Sequence, residues 1–127
     1  MDFAAWSPRM LSVLRIVTAL IFLEHGTAKL LGFPHQDRMP APWTISWVGG
    51  WIELVGGVML VLGLFSRPVA FLLSGEMAVA YWYSHFPRNP FPLLSGGDAA
   101  ILYCFVFLTL FVTGPGPWSL DASRGRA

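Results

Sequence analysis

A single cysteine, Cys104, occurs among the 127 residues. Without a second thiol in the chain, an internal disulfide and Cys-x-x-Cys dithiol chemistry are both excluded. Charge is equally scarce. Asp, Glu, Lys and Arg make up 12% of the sequence, and the net charge is +1; soluble globular domains usually carry about 25% charged residues. No basic tract is present, so nothing favours a nucleic-acid partner. Close His/Cys spacing, a Gly-rich phosphate loop, a Ser/His/Asp set and a haem-attachment motif are also missing, so no metal is expected. Four short helices without an internal repeat leave little room for alternating-access transport.

What the chain has instead is apolar surface: 55% of residues are hydrophobic, 15% are aromatic, and the mean hydropathy is +0.60. A soluble domain of this length needs more polar surface than that. The composition therefore points to one integral membrane domain over residues 1–127. Four segments have the roughly 20 mostly apolar residues that a crossing helix needs: 9–31, 46–65, 68–86 and 95–113. The breaks between them are "GFPHQDRMPAPW", the tight "SRP" turn and "PRNPFP". The segments alternate too little for barrel strands. Arg9 before an apolar run imitates a signal peptide, but three further apolar segments make it the first span. The expected fold is all-α: a four-helix transmembrane bundle of up-down topology, followed by a short exposed C-terminal tail after Thr113. Trp43, Trp47, Trp51 and Trp118 fit interfacial anchors. An even number of spans puts both termini on one side, with Arg9, Arg67, Arg124 and Arg126 against Arg38 and Arg88 on the other. The positive-inside rule then makes both termini cytoplasmic.

Each expected span carries one carboxylate in the polar layer: Glu24, Glu53, Glu76 and Asp98. Intramembrane charges are costly, by about 2.5–3.5 kcal/mol each on insertion scales, and normally face the bundle interior in pairs. Helical geometry puts Arg15, Phe22, Gly26 and Lys29 on one face of the first span, with His25 at its edge and Glu24 pointing away. In the second span Gly49, Gly56 and Gly63 recur every seven residues, with Gly50 and Gly57 beside them, and Glu53 sits on that stripe. Small residues let membrane helices approach closely, so Glu53 is expected in a tight interhelical contact with Lys29 or Arg15 as its cation. Arg15, His25, Lys29, Glu53, Glu76, His85 and Asp98 are the candidates for ligand binding or proton exchange. The competing reading stays open: an ion-pair network that only fixes the bundle, with Lys29 and His85 as snorkelling or interfacial side chains.

Arg15 with "HGTAKL", "ELVGGVMLVLGLFSRP", "GEMAVAY" followed by His85 and Pro87, "GGDAAILY" and "GPGPWSLD" occur in this order. Together they resemble the DoxX family of small four-helix membrane proteins, over about Leu14 to Asp121. The resemblance implies a bundle in a bacterial inner membrane. It marks His25, Gly26, Lys29, Glu53, Gly57, Gly63, Arg67, Glu76, His85 and Asp121, with Asp98 standing where the family commonly has Glu. Glu24 matches no family position. The family takes its name from a subunit linked to thiosulfate oxidation and a quinol oxidase, and other members are similar to partners in membrane redox complexes.

Two functional expectations follow. In the first, the chain is a membrane subunit of a redox system, catalytic or accessory. It meets quinone through its buried acid, base and imidazole groups, and electrons come from a partner protein. In the second it is a non-catalytic scaffold or small-molecule-binding protein in the lipid bilayer, alone or as a homo-oligomer, whose charges are structural.

Overall fold

The computed structural model describes residues 2–35 and 39–125. Arg38 and Arg126, which enter the charge comparison, lie outside them. The described chain is all-helical, with no strand: α1 (Phe3–Leu31), α2 (Ile45–Leu62), α3 (Ser66–Ala80), the short α4 (Pro92–Ser95), α5 (Asp98–Thr113) and the short α6 (Leu120–Ser123). Among the described residues, only α1 and α2 are single helices long and apolar enough to cross a membrane, and α5 is a shorter apolar helix.

Local chemistry sets the helix ends. The Asp2 carboxylate accepts hydrogen bonds from the Ala4 and Ala5 N–H groups, so α1 begins well before Arg9. Thr44 caps α2 through the Trp47 N–H. Beyond Ala80, regular α-helix gives way to a π-helical turn, Tyr81–His85, closed by the Phe86 N–H on the Tyr81 carbonyl at 2.8 Å. Pro92 opens α4, and Gly96 in the left-handed conformation ends it, so α5 starts only at Asp98.

The helices pack α1 on α2, α3 on α5, α2 on α3 and α1 on α5. Glycine permits the closest of these approaches: a Cβ on Gly26 would fall 2.6 Å from the Leu54 nitrogen. On α2, Gly57 faces Leu23 of α1 and Gly56 faces Leu73 of α3. Phe22, Leu60, Leu73, Phe107 and Leu110 fill the centre. Outside, the helices remain apolar. Leu20, Ile21, Val55, Phe71, Leu72, Leu102 and Phe105 are each at least half exposed, a surface suited to lipid and not to water.

The segment after Thr113 is not the exposed tail expected from its sequence. It folds back across one end of the molecule. There the Arg15 guanidinium, itself buried, donates to the carbonyls of Leu60 at the end of α2 and of Pro115 and Trp118 in the returning segment. Ser12 Oγ accepts from the Trp118 N–H, and the Asp121 N–H bonds the Gly63 carbonyl at 2.9 Å. Gly63 has φ +70°, and a Cβ there would overlap Ser119 at 2.3 Å, so the turn after α2 requires glycine twice over. Asp121 completes the closure: its two carboxylate oxygens accept from the Phe65 and Ser66 N–H groups at 2.9 and 2.7 Å, capping α3 from 55 residues away. Burial opposes its ionisation, yet these two backbone donors and nearby Arg124 prevail and hold the carboxyl below its usual range. Arg67, exposed at the start of α3, lies against Gly114.

Candidate functional site

Toward the other end, Lys29 and Glu53 meet. The Lys29 ammonium donates to both carboxylate oxygens of Glu53, at 3.1 and 2.9 Å. Their environments differ: the Glu53 side chain is 2% exposed and that of Lys29 27%. The glycine stripe explains the burial, since Gly49 and Gly56 bring α3 close to the α2 face that carries Glu53, and Gly50 and Gly57 bring α1 close on the adjoining face.

Glu76 joins this pair from α3. A Cβ on Gly49 would stand 3.2 Å from Glu76 Oε1 and 3.4 Å from Glu53 Oε2, so the two carboxyl groups lie side by side over that glycine. One ammonium thus faces two carboxyl groups. Glu76 Oε2 is buried and accepts no hydrogen bond among the described residues. Buried polar atoms are nearly always paired, by protein, water or ligand.

Lys29, Glu53 and Glu76 line one open groove between α2 and α3, about 910 Å³ in volume. The size falls within the roughly 300–1,000 Å³ of small-molecule sites. Its walls are otherwise mainly apolar, from Trp43, Ile45, Val48, Ile52, Phe71, Leu72 and Val79, while the π-helical turn contributes Tyr83 and Ser84.

The other candidates lie elsewhere. Arg15 is engaged with the returning C-terminal segment, 14 positions along α1 from Lys29 and therefore about 21 Å away. His25 turns toward α5, where its ring packs edge-on to Tyr103 at 5.7 Å. His85 Nδ1 lies 3.2 Å from the Ser95 carbonyl and ties the π-helical turn to α4. Asp98 is exposed in the first turn of α5, the helix end that favours an acid. Glu24, exposed with His25 on a smaller pocket beside Pro34, faces away from the groove. Three of the seven candidates, Lys29, Glu53 and Glu76, therefore share one site. Tyr83 and Ser84 were missed because a helix of regular pitch does not announce a π-helical turn.

Fold and surface define an all-helical membrane protein with a small charged cluster in the wall of an apolar groove. The chain belongs to the DoxX family, whose profile matches residues 10–86. It is 42% identical over 124 residues to an uncharacterized protein of Haemophilus influenzae, covering 91% of each chain. It is 29% identical over 131 residues to the inner membrane protein YphA of Escherichia coli, covering 94% of each. A second Haemophilus influenzae protein is 32% identical over 122 residues, covering 87% of this chain and 80% of the relative. No solved structure gives a significant match.

Proposed function

We propose that this chain is a four-helix inner-membrane subunit that binds quinone or quinol in the α2–α3 groove and works with a redox partner protein. The inner-membrane location is supported by the name of the Escherichia coli relative. The four spans are α1, α2, α3 with its π-helical turn, and α5, in antiparallel succession. Support for that order comes from the meeting of the end of α2, the start of α3 and the end of α5 around the returning C-terminal segment. The excess of basic residues on the side of the termini supports a cytoplasmic location for both. Reporters fused at the C-terminus and within "PHQDRMPAP", residues 34–42, are expected to report opposite sides, the C-terminal one cytoplasmic; a periplasmic C-terminus would invert the orientation.

One observation carries the ligand reading. Glu76 Oε2 is buried without a partner beside an ion pair, in the wall of an apolar groove. Buried polar atoms mostly find a partner in protein, water or ligand, and beside a groove of this size the free oxygen has room for a ligand atom. A quinol hydroxyl would donate to Glu76 Oε2, and a protonated Glu76 would donate to a quinone carbonyl, so either form supplies the missing partner. The apolar walls suit a ring and an isoprenoid tail. Bound quinone would supply two-electron, two-proton chemistry, the electrons coming from the partner protein. The chain's own residues would orient the ring and exchange protons at Glu76. The scaffold reading has its own support, because Lys29 and Glu53 complete each other without any ligand.

Binding separates the two. Protein purified in mild detergent is expected to retain quinone and to bind a short-tailed ubiquinone analogue. Glu76→Gln should weaken that binding by about tenfold or more, some 1.4 kcal/mol, at unchanged membrane abundance. Wild-type protein that neither retains quinone nor binds the analogue would leave the scaffold reading.

A further inference from the structure

Glycine weakens a helix interior, so a helical glycine calls for a packing reason. In α1 and α2 the reason lies within the molecule: a Cβ at Gly26, Gly49, Gly50, Gly56 or Gly57 would come within 3.2 Å of a neighbouring atom. Gly75 of α3 differs. A Cβ there would meet nothing within 4 Å. The residue is exposed, lines the α2–α3 groove and immediately precedes Glu76. Nothing in the described chain uses the room it leaves.

We infer that Gly75 is the lateral doorway of the groove, a specificity-determining residue whose missing side chain lets a planar ring pass from the lipid phase to Glu76. This rests on the quinone reading above and adds how the ligand arrives and what selects it. The groove is open along its side, and its rim next to Gly75 is formed by Phe71, Leu72 and Val79, all more than half exposed. Such walls guide an apolar tail, while the carboxyl of Glu76, with one oxygen buried and unpaired, waits at the inner end. The fitting ligand is thus a flat ring bearing an oxygen and an aliphatic tail that stays in the bilayer.

The test is a size series at position 75, read by binding of decylubiquinone to protein in nanodiscs. Gly75→Ala should keep the dissociation constant within about twofold, and Gly75→Leu should raise it about tenfold or more. Thermal stability should be unchanged or higher in both, because the position is open and both residues favour helix over glycine. Val79→Trp, one turn along the same rim, narrows the doorway without touching Gly75 and should act like Gly75→Leu. Wild-type binding with undiminished binding in Gly75→Leu and Val79→Trp would overturn the doorway and leave the quinone reading standing. Absence of binding in the wild type would overturn the quinone reading, and the doorway with it. Unchanged binding together with loss of a dimer in Gly75→Leu would assign the open space to a second copy of the chain and also overturn the inference.

Discussion

Lys29→Met is expected to accumulate poorly and unfold early, whereas Glu53→Gln should accumulate near the wild-type level and lose its ligand. The asymmetry follows from burial. Glu53 is almost wholly enclosed, at 2% side-chain exposure, and without Lys29 its charge has no compensation inside the helix packing. Breaking a buried pair in this way costs about 3–5 kcal/mol. Glu53→Gln removes the carboxylate charge but keeps the shape and one acceptor. The ammonium it leaves behind is 27% exposed on a flexible stem and can turn outward. The loss there should be near 1 kcal/mol. The double variant Lys29→Met with Glu53→Leu should recover most of the stability, since well-packed apolar residues commonly replace a buried pair without loss. It should not recover quinone binding. Leu54→Ala, beside Glu53, serves as a packing control that lowers stability and spares affinity. Membrane abundance, thermal unfolding and binding of the ubiquinone analogue read all four variants. Equal stability of Lys29→Met and wild type would refute the account of the pair; parallel loss of stability and binding in Glu53→Gln would make the cluster purely structural.

The Lys29–Glu53 contact was legible in the sequence because two periodicities converge on it. A seven-residue glycine stripe says which face of α2 is closely packed, and the apolar helix around Lys29 says that its charge needs an acid at the same depth. Arg15 was indistinguishable from Lys29 by the same logic, since both fall on one face of α1. What separates them is the chain after Thr113. "GPGPWSLD" breaks a helix and reads as a loose end. Its carbonyls, however, are acceptors for a buried guanidinium more than 95 residues earlier in the chain. No local pattern encodes such a contact. His25 illustrates a second limit: it stands one helical turn before Lys29, yet Lys29 reaches α2 while His25 packs on Tyr103 of α5. A helical wheel gives directions, and only the packing of neighbours says which helix lies in each.

Arg15→Lys should destabilise the protein by about 2–4 kcal/mol, because one ammonium replaces a fork that now reaches three carbonyls and leaves two of them unpaired. The Leu60 acceptor sits at the negative end of α2, where the guanidinium also answers the helix dipole. Asp121 does the converse at the positive end of α3, so Asp121→Asn should cost less, about 0.5–2 kcal/mol, the range of a lost helix cap. The two variants also differ in their dependence on pH. The Asp121 carboxyl is held below its usual value in the folded protein. Its contribution is therefore fully present above the unfolded carboxyl pKa of about 3.9, and it fades as pH falls through the lower folded value. The gap between wild type and Asp121→Asn should stay constant from neutral pH down to about that point and close below it, while the Arg15→Lys gap persists. Thermal unfolding in one detergent across this range measures both. Neither variant should change the affinity of the folded protein for the ubiquinone analogue, because Arg15 lies about 21 Å along α1 from Lys29. A lost affinity in Arg15→Lys at normal stability would return Arg15 to the ligand site and refute the division of the protein into a closed end and a binding groove.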